Sequence, residues 1–299
     1  MPADRPFVDR AMSEDHLADQ AVAHAVEAWG LPPASLLRTG MNALYACGDV
    51  VLRVGHSTAP AHLAHDLADV MQAHGVPTVT PLTGLALDVD GVAVTAWRRV
   101  ADIEAPTDWA VVGAAVRRVH EIGRDEIPAG YPVPSPTDFP WWDFDSLLAE
   151  VSDLLDDRSR RGLRSVIGRD DGWRTAVRAG TVICHGDVHP GNVLVSPTGP
   201  LLIDWDLLCR ASPAWDHAML TTYAERWGGD PHVYPAFAEG YGVDLADDEL
   251  TRTLAELRNV AATLMRVRAG RTNPAARDEA ERRLRFWRGD PDAPIWNAQ

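Results

Sequence analysis

Along this chain, apolar positions at near-helical spacing alternate with short extended runs, and the changes mark its elements. Leu17, Val22, Ala25, Val26 and Trp29 recur at helical spacing after Ser13, and Gly30 with Pro32 and Pro33 ends that run. Residues 1–12 ahead of it read as a loose terminus. Leu44–Cys47 and Val50–Val54 flank Gly48-Asp49, a hairpin-type dipeptide. After Pro60, a residue suited to a first helical turn, Leu63, Leu67, Val70 and Met71 form a stripe that Gly75 closes. Two more strands are predicted at 85–89 and 92–97, with Asp90-Gly91 as their turn.

Beyond Ala105 the spacing is mostly helical. Thr107 can cap a helix carrying Trp109, Val112, Val116 and Val119. Residues 123–140, rich in Pro and Gly, read as a long loop, followed by helices over 143–156 and 158–180. Short strands are predicted at Thr181–Cys184, Val193–Val195 and Leu201–Ile203, the last two joined by Ser196-Pro197-Thr198-Gly199. From Pro213 onward the pattern is helical, broken near Gly228-Gly229, Gly242 and Asn273-Pro274. The shift near residue 100 predicts an α+β chain of two lobes with a cleft between them. The small β-rich N-lobe would span 1–100 and the larger α-helical C-lobe 101–299.

Composition narrows the function. A chain of 299 residues with 46% hydrophobic and 24% charged residues is globular, not disordered or fibrous. Its net charge of −15 makes it a poor binder of nucleic acid or anionic membrane, and favours small cationic ligands if the charge gathers in a cleft. All 28 basic residues are Arg, so a task usual for a lysine ammonium falls to a guanidinium or is not done at all. Cys47, Cys184 and Cys209 form no framework, which suits a reducing compartment. No run approaches the roughly 20 apolar residues of a membrane span. The expectation is a cytoplasmic monomer or homodimer without nucleic-acid or membrane partners.

Val182 to Asp216 carries the chemistry. His185, Asp187 and Asn192 fall on a loop between two strands, and Asp204 and Asp206 end the next strand. Carboxylate and amide oxygens suit a hard cation such as Mg²⁺. A carboxylate beside them can orient or deprotonate a hydroxyl for phosphoryl transfer. His185 and His189 are four apart, but further ligands at zinc spacing are lacking, and His185 reads as structural. Trp141-Trp142, beside the Pro-rich loop, could line an acceptor pocket, although the core is the ordinary place for Trp. Asp244, Asp247, Asp248 and Glu249 read as the solvated start of a helix.

HGDVHPGN followed by LLIDWD resembles the aminoglycoside phosphotransferase and choline kinase-like family, which has a protein-kinase-like bilobal fold. TGMNALYACGDVVLRV, HGVP after a helix, Val119-His120 ending a helix, and Pro213-Ala214-Trp215-Asp216 opening one extend the likeness over most of residues 38–225. The resemblance implies Asp187 as the catalytic Asp, Asn192 and Asp204 as Mg²⁺ ligands, and Asp206 as a second acid near the metals. It also implies that Asp216 braces the catalytic loop, that Asn42 and Arg53 meet the nucleotide phosphates, and that backbone near Ala96 and Trp97 meets the base. The implied reaction uses ATP (or GTP) and Mg²⁺ to phosphorylate a hydroxyl of an aminoglycoside or similar cationic acceptor. Sugars, amino alcohols and macrolides remain alternatives, as does a catalytically silent ligand-binding relative.

The chain departs from the family at two points. Arg53 stands where the family usually has Lys, and the helix glutamate that orients that Lys is missing; His65 or Asp66 are the nearby substitutes. A protein kinase is disfavoured, since D-F-G, A-P-E and the glycine-rich loop are absent and only eleven residues separate Asp204 from Asp216. A P-loop enzyme is disfavoured because no Lys exists to complete the motif.

Overall fold

The computed structural model describes residues 11–12, 16–101, 103–169 and 172–297. Of the predicted loose terminus at 1–12, residues 1–10 lie outside the described residues, as does the helix start at Ser13. Met12 is not loose: its side chain is buried in the core beside α1, and its amide donates to the Met41 carbonyl at 3.3 Å. Helix α1 (Leu17–Trp29) is closed by Gly30 in the left-handed conformation. Strands β1 (Ser35–Thr39), β2 (Ala43–Cys47), β3 (Val50–His56), β4 (Pro81–Val89) and β5 (Val92–Arg98) form one antiparallel sheet in the order β1-β2-β3-β5-β4. Helix α2 (His62–Ala73) is inserted between β3 and β4. Strand β1 escaped the pattern because all five of its residues are exposed at the sheet edge, so no alternation marks them.

The remainder is mainly helical. Helix α3 (Trp109–Glu121) is capped by Asp108, whose carboxylate accepts from the Ala110 and Val111 amides at 3.1 and 3.2 Å, and not by Thr107 as the sequence suggested. The two helices expected over 143–180 are three shorter ones: α4 (Phe144–Glu150), α5 (Asp157–Ile167) and α6 (Trp173–Ala176). Asp143 and Asp156 cap the first two, and Gly168 closes the second. Strand β6 (Val182–Cys184) pairs with β9 (Cys209–Ala211), which the sequence did not announce, and β7 (Val193–Ser196) pairs with β8 (Gly199–Leu202). Helices α7 (Ala214–Thr221), α8 (Tyr223–Trp227), α9 (Val233–Tyr241), α10 (Glu249–Ala269) and α11 (Pro274–Trp287) complete the chain, with breaks at the Gly and Pro positions noted above.

Among the described residues, three groups of buried side chains hold these elements together. One lies between α1 and the sheet and is drawn from residues 12–96. A second joins α2, α3 and α9 to the strands β6–β8. The third is built from α4–α7, α10 and α11. Trp142 belongs to that third core, 4.5 Å from Trp215 and 5.3 Å from Trp173, and so lines no pocket. Trp141 stacks on Phe139.

Contacts between the sheet region and the helical region fix the strand that leads to Asp204. Thr78 forms a parallel bridge to Leu202 and donates its hydroxyl to the Leu202 carbonyl at 2.7 Å. The Ile103 amide donates to Val195 at 2.9 Å. Among the described residues no helix is long and apolar enough to cross a membrane.

Candidate active site

Asp187 leaves β6 on a turn that Asp216 organises. The buried Asp216 carboxylate accepts the His185 and Gly186 amides, both at 2.8 Å, from the first turn of α7. Gly186 must be glycine: its φ is +93°, and a Cβ there would meet the Leu207 carbonyl at 1.8 Å. His185 is fully buried and completes the turn. Its Nδ1 accepts from the Asp187 amide at 3.3 Å and its Nε2 donates to the Ile203 carbonyl at 3.0 Å, so both nitrogens are occupied within the protein. Burial lowers its pKa, in keeping with that neutral ring.

The Asp187 carboxylate is fixed at both oxygens. Oδ1 accepts from Arg258 Nη2 at 2.8 Å. Oδ2 accepts from Asn192 Nδ2 at 3.1 Å and lies 3.4 Å from His189 Nε2. Burial alone would raise the Asp187 pKa, but the His189 and Arg258 charges outweigh it and hold the carboxyl below its ordinary value. The same carboxylate raises His189 against the opposing effect of burial.

Asn192 spends its amide nitrogen on Asp187, which leaves its amide oxygen for another ligand. Asp204 follows β8 in the left-handed conformation, φ +66°, a position that Asp tolerates better than most residues. The Ile203 amide beside it donates to the Asn192 carbonyl at 3.1 Å, which ties the two candidate metal-holding residues together. Burial and the neighbouring Asp206 push the Asp204 carboxyl up to about 6, while Arg53 works the other way. Crowded oxygen donors of this kind call for a cation, and the set fits Mg²⁺. Arg53 answers the charge in part. Its Nη2 donates to Asp204 Oδ1 at 3.3 Å and also pairs with Asp206 Oδ2.

A model of the APH phosphotransferase enzyme family matches residues 42–258. This chain belongs to that family. No curated protein sequence matches it. Among solved structures, the GDP and kanamycin complex of APH(2″)-IIIa is similar over 91% of this chain and 99% of its own, with a TM-score of 0.68 and 15% identity. A choline/ethanolamine kinase family protein from Mesorhizobium loti is similar over 92% and 95%, with a TM-score of 0.62 and 22% identity. The macrolide 2′-phosphotransferase MphH from Brachybacterium faecium is similar over 90% and 98%, with a TM-score of 0.56 and 19% identity.

The remaining residues singled out in the phosphotransferase sequence are placed as follows. Asn42, in the turn between β1 and β2, donates to Asp206 Oδ2 at 3.1 Å. Ala96 and Trp97 stand inside β5, opposite Leu52 and Val51 of β3. Asp66 is exposed on α2 and does not reach Arg53. His65 faces the sheet instead, buried edge-on against Trp97 at 4.9 Å and bonded to the Ala96 backbone. Neither substitute for the missing helix glutamate therefore holds Arg53, whose carboxylate partners are Asp204 and Asp206.

Two groups were not visible in the sequence. Tyr131, from the Pro-rich loop, donates to the Trp205 carbonyl at 3.2 Å and lines a cleft with Arg53, Asn42 and Asp206. Arg258, from the middle of α10, reaches Asp187 across 71 residues of sequence.

Proposed function

We propose that this phosphotransferase is a small-molecule kinase that transfers the γ-phosphoryl group of ATP or GTP to a hydroxyl, with an aminoglycoside or similar cationic molecule as acceptor. The observation that carries the reading is the meeting of Asp187, Asn192 and Asp204 through the Asn192 side chain and the Ile203 amide. In this mechanism the acceptor oxygen bonds to the γ-phosphorus as the bond from that phosphorus to the β,γ-bridging oxygen breaks. The nucleoside diphosphate leaves, and the hydroxyl proton passes to Asp187 and then to solvent. A carboxylate held below its usual pKa is a weak base, so Asp187 acts chiefly by orienting the hydroxyl and takes the proton late.

Arg53, and Asn42 on the loop above it, hold the phosphates, and the base lies against the chain near Ala96 and Trp97. Asn192 and Asp204 would hold Mg²⁺, which supplies positive charge across the phosphates. The acidity of the chain favours a cationic acceptor, while the kanamycin, choline/ethanolamine and macrolide enzymes among its structural neighbours keep amino alcohols, sugars and macrolides as alternatives. A silent nucleotide-binding relative is the second reading. It is favoured by one observation, Arg53 spanning Asp204 and Asp206.

The deciding experiment measures release of ADP or GDP with Mg²⁺ and either triphosphate, alone and with aminoglycosides, amino alcohols, sugars and macrolides. The kinase reading expects one acceptor class to stimulate release well above the acceptor-free rate. Nucleotide binding without stimulation by any class would leave the silent relative. A polycationic acceptor should also lose affinity between low and physiological salt, since exposed charges are screened over about 8–10 Å. An acceptor indifferent to salt points to a neutral sugar or macrolide.

Asp204→Ala should weaken Mg²⁺-dependent nucleotide binding by about 100-fold or more, the upper end of what losing even an outer partner of a metal site costs. Asp206→Ala, which removes the partner of Arg53 and Asn42, should cost less. Calorimetric titration of both variants checks the assignment. Equal affinities would show that Asp204 is not the principal ligand.

A further inference from the structure

The geometry points to Arg258 as a positioning residue for phosphoryl transfer, one that sets the direction of the Asp187 carboxylate from helix α10. The inference rests on the kinase reading for its meaning and on contacts independent of it for its test.

Arg258 does more than neutralise a nearby acid. Its Nη2 donates to Asp187 Oδ1 at 2.8 Å, and its Nη1 donates to the carbonyl of Gly186, the preceding residue, at 3.1 Å. One planar fork thus grips the side chain and the backbone that carries it. The Gly186 carbonyl also receives Trp215 Nε1 at 3.0 Å. The guanidinium lies over the ring of that same Trp215, 5.0 Å from the centroid, so the fork is itself held in place. Its side chain is 11% exposed against 29% for Asp187, so the ion pair is well shielded from water on the arginine side.

With Oδ1 held by Arg258 and Oδ2 by Asn192, the plane of the carboxylate is determined. An acceptor hydroxyl meets an oxygen whose free lone pairs already point one way. Lys could supply the charge but neither the fork nor the stacking. In this Lys-free chain the fork is what the sequence provides.

The test compares wild type with Arg258→Met and Arg258→Lys. The activity readout is nucleoside-triphosphate hydrolysis with Mg²⁺, water serving as acceptor, so no acceptor need be known. Arg258→Met should lower kcat by about 10–100-fold, the scale of a small misplacement of a reacting group, with KM for the nucleotide within about threefold of wild type. Arg258→Lys should recover part of the loss. A wild-type kcat in Arg258→Met, or a raised KM with kcat intact, would overturn the proposal. If Arg258→Met melts at a much lower temperature, Arg258→Lys decides alone: lowered kcat at unchanged KM and melting temperature supports the proposal, and unchanged kcat overturns it. The crystal structure of Arg258→Met gives a readout that needs no turnover. Asp187 should leave its rotamer and lose Asn192. An unmoved Asp187 would overturn the inference even if the wild type proves to be a kinase, and a moved one would support it even if no hydrolysis is found.

Discussion

Asp187→Asn should cut acceptor phosphorylation by roughly 10²–10⁴-fold, the usual contribution of a group that orients a hydroxyl and takes its proton. The substitution keeps the shape of the side chain but turns one oxygen into an NH₂. In the native site both oxygens accept, one from Arg258 and the other from Asn192 and His189. An Asn at this position can offer an oxygen to only one side and must turn a donor toward another donor on the other. It also has no second protonation state through which to receive the hydroxyl proton. Nucleotide affinity should hold within several-fold, because the proposed phosphate contacts, Arg53 and Asn42, pair with Asp204 and Asp206 and not with Asp187. Steady-state kinetics on the preferred acceptor, beside calorimetry of nucleotide binding, separates the two effects. Near-wild-type turnover would remove Asp187 from the mechanism.

What the sequence made legible at this site is what is local in the chain. Asp187 and Asn192 share one loop and hydrogen-bond directly, so their spacing carried the geometry. Asp204 follows the next strand pair, and the β7–β8 turn at 196–199 was visible from its Pro and Gly. The partner of Arg53 was not legible. A kinase-like site takes its glutamate from the helix after Pro60. Instead His65 turned into the sheet against Trp97, and Arg53 found carboxylates 151 and 153 residues away.

The fold shows the same division. Strands with one buried face announced themselves through alternation, whereas β1 has none to show. Strand β9, three residues long, has only the single exposed Arg210 between two buried neighbours, too little pattern to register. At α3 two adjacent residues can both cap, and only the φ of −77° and ψ of 94° at Asp108 identifies which does. Arg258 sits within a regular helical repeat where an Arg every few residues is unremarked. Its use depends on α10 placing the Arg258 guanidinium over the Trp215 ring, a tertiary fact without a local signature.

Asp216→Ala should lower the free energy of unfolding by about 3–5 kcal/mol, the cost of removing one partner from a buried ion pair. Asp216 is 1% exposed and accepts three hydrogen bonds: the His185 and Gly186 amides and His120 Nε2, the last at 3.0 Å. His120 passes its other ring nitrogen to the Tyr241 hydroxyl at 2.9 Å, so both nitrogens can act as donors and the ring can carry a charge. Burial opposes that charge, yet Cys184 and the Asp216 carboxylate raise the His120 pKa from 6.5 to about 10. Asp216 is lowered from 3.8: burial works against this, and His120 outweighs it. The signs fix the pH window. The histidine's contribution is complete below its unfolded value of 6.5 and is lost as the pH rises toward its folded value of about 10. The aspartate's contribution is present above 3.8 and lost on acidification. The penalty for Asp216→Ala should therefore be largest between those two unfolded values and shrink toward about pH 10. Asp216→Asn should fall between wild type and Ala, since its one oxygen can serve a loop amide while its NH₂ confronts the other. Urea unfolding near pH 6 and near pH 10 for all three proteins tests both claims. A penalty unchanged by pH would mean that His120 is neutral in the fold. A penalty below about 1 kcal/mol would mean that the turn at His185 and Gly186 is not held by Asp216, since a single net hydrogen bond is worth that much.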